Sequence, residues 1–245
     1  MSDHEEVNDP RRSLLLAALG AGAFGAGFGM HNAAAQGLFG GRPTRLQEGR
    51  SIYRAEGPSS VNGVPVTLQT IVQPGDTIET GATSELIFVV GTQAMIMRGN
   101  SRLVLNGERN AAASLLLTGL RLLSGKLLAV SRNQPMTVTT ATATIGIRGT
   151  GWYAEAEPDL TYFCTCYGTT VIASSDDPSS RETVTASRHD RPLYIAGKAA
   201  PGQALRQAPF INHTDLELML IETLVGRTPP FVFPRDDYNA PRRGY

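Results

Sequence analysis

Apolar and polar residues alternate along Val66–Val72 (VTLQTIV), and further short strands read at Thr77–Thr80, Glu85–Val90, Ala94–Arg98 and Arg102–Leu105. A period of two predicts half-buried strands, because successive side chains leave a strand on opposite faces. Turn residues separate the segments: Gln73-Pro74-Gly75-Asp76, Gly81, Gly91-Thr92, Gly99-Asn100 and Asn106-Gly107. In the first of these, proline presets φ for the turn and glycine takes the position a side chain would resist. Strands this short, about ten residues apart with glycine punctuation, predict an all-β sandwich, barrel or solenoid. Leu122–Val130 forms a strand–glycine–strand unit around Gly125, and Thr161–Ala173 (TYFCTCYGTTVIA) forms another around Gly168. Between them, Thr137–Tyr153 (TVTTATATIGIRGTGWY) reads as a threonine-rich strand that breaks at Ile147–Gly151 and resumes at Trp152. Two short strands, Thr183–Ala186 and Pro192–Ala196, close the β region. Ala111–Leu117 has the composition of a helix turn, but its place between two strand units favours a loop into the next strand.

One stretch departs from the period of two. Thr214-Asp215-Leu216-Glu217 matches a capping box, in which the hydroxyl and the carboxylate satisfy free N–H groups at a helix start. Leu216, Leu220 and Leu224 then fall on one face, and Gly226 follows as a stop. The expected element is a single amphipathic helix over about residues 215–225, too short to persist unless it packs on the β domain or on a partner. The expected organisation is a leader over residues 1–35, a Gly/Arg/Pro-rich linker over 36–63 and a β domain over 64–200. A C-terminal segment over 201–226 would carry the helix, and a proline-containing flexible tail over 227–245 would follow.

The leader changes the compartment. Arg11-Arg12 precede Ser13–Met30, an uncharged run of eighteen residues containing five glycines. Ala33-Ala34-Ala35 supplies the small residues a signal peptidase needs, Ala33 and Ala35 framing a cut before Gln36. Paired arginines ahead of a weakly hydrophobic core resemble a twin-arginine export signal, and the expected destination is the periplasm. An uncleaved membrane anchor is the alternative, since eighteen apolar residues are just long enough to span. Nothing after residue 36 approaches that length. Removing residues 1–35 takes four of the 22 acidic and two of the 22 basic residues, leaving a charge near +2. That balance is too small and dispersed for a nucleic-acid surface.

Three segments together carry a family resemblance. Gly75–Phe88 has the form G-D-x-I-x-T-G-x-x-S-x-L-x-F. Val138–Trp152 matches V-x-T-x-x-A-x-I-G-V-R-G-T-x-F except for Ile147 and Trp152 at its last valine and its phenylalanine, and Thr161–Ala173 supplies the strand after it. This succession, over about residues 66–174, resembles the FecR-type domain, a periplasmic all-β module of bacterial signalling and surface proteins. The resemblance implies a short-stranded, solenoid- or sandwich-like β domain and a non-enzymatic sensing or interaction role. The implied partner is an envelope protein, a glycan or a small ligand. Members that regulate iron uptake carry a cytoplasmic anti-sigma segment and a membrane helix. With ten residues ahead of Arg11, that role is not expected to carry over. The Cys-x-Cys strand and the capped helix lie outside the family's core pattern.

Candidate chemistry is sparse. No G-x-S-x-G, G-x-x-x-x-G-K-[ST], H-E-x-x-H or strand-linked G-x-G-x-x-G occurs, so catalysis is not expected. Arg148, between glycines in an apolar run, could satisfy strand-end carbonyls, pair with Glu155, or face a ligand. Trp152, the only tryptophan, could be core or an exposed anchor. Cys164 and Cys166 are the only cysteines and sit on one face of an extended strand, near or beyond the separation a disulfide tolerates without a bulge. Gly168 could permit such a bulge. Buried thiols, a strained or redox-active disulfide, intermolecular pairing and a metal pair all remain open. A metal would need His189 and His213, the histidines left after the leader, to complete a closed tetrahedral set. Their spacing fits no compact motif. His189 sits in a charged turn where solvation is the default, and His213 is placed to dock the helix end. The expectation is therefore no cofactor. The alternative function is a metal- or redox-responsive protein using Cys164 and Cys166.

Overall fold

Turn chemistry and the period of two set this chain into antiparallel strands. The structure, a computed structural model, describes residues 43–109 and 115–230. Arg11, Arg12, Ala33, Ala35 and the tail beyond residue 230 lie outside the described residues, as do residues 110–114. The strands are β1 (Ile52–Glu56), β2 (Ser59–Val61), β3 (Val64–Pro65), β4 (Thr77–Thr80), β5 (Glu85–Val90), β6 (Gln93–Met97) and β7 (Arg102–Arg109). They continue as β8 (Leu115–Thr139), β9 (Ala143–Ala156), β10 (Leu160–Ser174), β11 (Arg181–Ala186), β12 (Leu193–Ala196) and β13 (Leu205–Gln207). One helix follows, α1 (Asp215–Leu224). The fold is all-β with a single short C-terminal helix.

The strands join one branched sheet in the order β13-β12-β10-β9-β8-β7-β4-β2-β3, with β1-β5-β6 attached to β8 and β11 attached to β10. Branching is possible because β8 and β10 are long enough to change partners along their length. β8 pairs β7 through Leu115–Ser124, then passes between β6 and β9. β10 pairs β12 through Leu160–Phe163 and β11 through Gly168–Ala173. Short strands are thus the rule before residue 100 and after residue 180, with the long β8, β9 and β10 between them. Four departures from the expected elements follow. Residues 52–61, placed in the linker by composition, supply β1 and β2, and Leu115–Leu117 begin β8. β13 lies beyond the expected end of the β domain, and residues 66–72 form no strand although they alternate.

Burial explains why β6 and the middle of β8 are apolar throughout rather than alternating. Met95, Met97, Leu127 and Ala129 belong to the main core cluster. Their neighbours Ala94, Ile96, Leu128 and Val130 are equally buried on the opposite face. That face is covered by α1, which packs on β6 and β8. The capping box forms as expected: the Thr214 hydroxyl accepts from the Glu217 N–H at 3.3 Å, and the Glu217 carboxylate accepts from the Thr214 N–H at 2.8 Å. Gly226 follows the helix at φ +72°, a left-handed stop that glycine adopts without strain. The apolar stripe of α1 is Leu218, Leu220, Ile221 and Leu224, while Leu216 is only half-buried. Among the described residues no helix is long and apolar enough to cross a membrane.

Candidate metal centre

The glycine-rich run does not end a strand. β9 continues through it, and the irregularity appears in its pairing. Thr165 to Tyr167 of β10 lie opposite Trp152 and Gly151 of β9, so Cys166 is the extra residue of a β-bulge. A second register shift falls between Tyr167 and Thr169, where Gly149 is at φ +63° and Gly168 at φ +88°. The bulge re-aims β10. Instead of sharing a face with Phe163, Tyr167 sends its hydroxyl to Glu222 of α1, so its ring joins the helix-covered side with Cys164 and Cys166.

Three separate segments meet on that side. Cys164 and Cys166 come from β10, His189 from the loop between β11 and β12, and His213 from the residue before the helix cap. One ligand atom from each of the four lies within 4.8 Å of every other. Both sulfurs belong to fully buried free thiols, and the His189 and His213 side chains are buried as well. His189 is therefore not the solvated turn residue expected from its charged neighbours.

Hydrogen bonding orients both imidazoles. His189 Nε2 lies 2.8 Å from Asp215 Oδ1, and His213 Nδ1 lies 2.7 Å from the Ile211 carbonyl oxygen. A carboxylate and a carbonyl only accept, so these two nitrogens carry the protons. The inward nitrogens, His189 Nδ1 and His213 Nε2, lie 3.1 Å apart, a hydrogen-bonding distance when one ring is protonated and a spacing at which a metal could take both lone pairs. His189 Nδ1 is 3.5 Å from the Cys164 sulfur. In tetrahedral zinc with Zn–N near 2.05 Å and Zn–S near 2.3 Å, the edges come to about 3.3 Å for N···N and about 3.6 Å for S···N. These two separations come within about 0.2 Å of those edges, while the four ligand atoms as a set lie within 4.8 Å of one another. A metal ligand pattern in which each histidine gives its outer N–H to a carboxylate or carbonyl is the arrangement that fixes tautomer and ring angle.

The thiols are electrostatically unequal. Burial pushes the Cys164 thiol up, but hydrogen bonds with Cys166, His189 and His213 outweigh it and hold the group well below its ordinary value. Cys166 is pushed well above its ordinary value, first by burial and then by the neighbouring Cys164. Burial disfavours charge on His189, yet Asp215 and Cys164 raise it overall. Asp215 is lowered despite burial, because His189 and Arg188 both bond it, Arg188 Nε at 2.9 Å. A divalent cation with two thiolates makes a neutral unit, which suits so buried a site.

Three groups around the cluster were not evident from sequence. Phe210 packs on both imidazoles, with ring centroids 4.3 Å from His189 and 4.6 Å from His213. Tyr153 stacks on His213 at 4.4 Å, and Asp215 orients His189. The other two candidates lie elsewhere. Trp152 is fully buried and stacks on Phe163 at 5.8 Å, so it is core and not a surface anchor. Arg148 is exposed and lines an open groove of about 500 Å³ with Thr137, Thr169 and Thr183. The partner suggested for it, Glu155, instead accepts from Tyr153 and Asn212.

Comparison with known proteins adds little. No family model matches the chain, and no curated protein matches it. Two crystal structures, at 1.65 and 2.50 Å, of a "putative anti-sigma factor" from Parabacteroides distasonis are similar at 12% identity and a TM-score of 0.42. The match covers 54% of this chain and 58% of that one, so the chain spans little more than half the length of those structures.

Proposed function

We propose that this chain is an exported, non-enzymatic β module of the FecR type whose sensing or interaction role depends on a zinc ion held by Cys164, Cys166, His189 and His213. The observation that carries this reading is the convergence of the four ligand atoms within 4.8 Å, with both outer imidazole nitrogens already engaged. Two thiolates and two imidazoles form a closed set with no position for a substrate, which favours a structural or regulatory ion over a catalytic one. The Arg11-Arg12 leader supports export, and the motif run Val138–Trp152 supports the FecR-type assignment.

A second reading rests on the bulge at Cys166, which removes the extended-strand geometry that opposed a Cys164–Cys166 disulfide. The convergence of both imidazoles weighs against it, since a disulfide would use only the two sulfurs and leave the approach of His189 and His213 to them without a role.

One experiment tests both halves of the proposal. The protein is recovered from the periplasmic fraction, its metal content measured, and its thiols titrated in denaturant with and without chelator. The expected result is one zinc per chain and two thiols that react fully only once the zinc is removed. Metal-free protein with two reactive thiols, or with none because they are bridged, would contradict the zinc site. Retention of the folded protein in the cytoplasm would contradict export.

A further inference from the structure

The chain between β13 and α1 is held in an unusual way. Past Ala208, whose N–H donates to the Pro192 carbonyl at 2.9 Å, residues 209–214 make no strand pairing. Their ties are the Tyr162 hydroxyl to the Pro209 carbonyl at 3.0 Å, the Ile211 N–H to that hydroxyl at 3.4 Å, and an exposed Asn212–Glu155 bond at 2.7 Å. Phe210 lies on the two imidazoles. The loop carrying His189 is tied to the sheet by one backbone bond, His189 N–H to the Cys166 carbonyl at 2.9 Å, and by the exposed Arg191–Glu182 pair. It is tied to the start of α1 by Arg188 and His189 on Asp215.

Both loops also store strain at the ligands themselves. Five non-glycine residues among those described have positive φ, and two of them are His189 at +53° and Asn212, the residue before His213, at +58°. Such backbones persist where surrounding interactions over-determine them. The helix beyond has anchors of its own. Arg98 bonds Glu217 at 2.6 Å, Arg227 bonds Glu222 at 2.7 Å, and Leu218, Leu220, Ile221 and Leu224 are buried.

We propose that the metal is a clasp: its occupancy decides whether residues 187–191 and 208–214 lie closed over Tyr153 and Tyr162 or open locally, while the sheet and α1 stay in place. This rests on the zinc assignment above. Without a cation, one hydrogen bond between His189 Nδ1 and His213 Nε2 at 3.1 Å stands in place of four metal bonds joining these positive-φ loops to β10. Opening the two loops then breaks only that bond and the few ties given above. It also bares the Tyr153 ring, now stacked on His213, and frees the Tyr162 hydroxyl.

The test is amide hydrogen exchange on the full chain, zinc-loaded against chelator-stripped, with zinc content measured on both samples. The clasp predicts exchange faster by about ten-fold or more in peptides covering 187–191 and 208–214 of the stripped protein, with β9, β10 and residues 218–224 unchanged. His213→Ala should show the same local pattern in zinc-containing buffer. Identical exchange in the two samples would overturn the clasp while leaving the zinc site standing. Loss of protection throughout β9 and β10 would overturn it as well, since zinc would then be required by the whole fold. A protein that takes up no zinc refutes the functional reading itself.

Discussion

At the scale of single residues, the centre depends on groups whose roles cannot be recognised one at a time. The Cys-x-Cys pair was visible in the sequence, and both histidines were nameable as the available imidazoles. What sequence could not supply was their meeting, because 23 residues separate Cys166 from His189 and 24 separate His189 from His213. The charged neighbours of His189 pointed toward solvent, and its burial comes from Phe210 and Asp215, which are equally distant in sequence. Asp215 looked like an ordinary first-turn acid, favourable there for its charge near the helix N-terminus. Its carboxylate in fact holds the His189 ring in the tautomer that turns Nδ1 inward. Asp215→Asn should therefore lower zinc affinity by about 10–100-fold, the usual cost of losing an outer hydrogen-bond partner. Competition against a chromophoric chelator measures this, and an unchanged affinity in a folded variant would show that Asp215 does not orient the ligand.

At the scale of elements, local rules served well where local chemistry decides. The capping box at Thr214 and the stop at Gly226 gave the helix nearly to the residue, and Pro74-Gly75 does form its turn, with Gly75 at φ +95°. The glycine-rich run was harder. Gly149 and Gly151 suggested a break between strands, whereas β9 runs on and the register shifts instead. Glycine marks both outcomes in sequence, and only the partner strands distinguish them. Gly151 has a specific reason to lack a side chain: a Cβ there would sit 2.4 Å from the Tyr167 ring. That ring is buried, and its hydroxyl is engaged by Glu222. Gly151→Ala should overpack the bulge and cost about 1–3 kcal/mol. Chemical denaturation checks the value, and a variant as stable as the parent would mean that Tyr167 can move aside.

At the scale of the whole molecule, short glycine-punctuated strands and one capping box gave an all-β fold with one helix, although the clearest alternation, residues 66–72, forms no strand. Two further features were not legible. Residues 52–61 entered the sheet although their composition reads as linker, because pairing with β5 and β4 is a property of those partners. The second buried face, between α1 and the strands β6 and β8, showed in sequence only as runs too apolar to alternate. The four-residue cluster sits on this helix-covered side and joins β10, the loop after β11 and the segment before α1 at one point. A metal there would cross-link stretches of chain that the sheet itself does not bind together. X-ray absorption at the zinc edge, on protein purified without added metal, tests that claim most directly. The site predicts a first shell of two sulfurs at about 2.3 Å and two nitrogens at about 2.0–2.1 Å. A shell of nitrogen and oxygen alone, or no zinc signal, would contradict it.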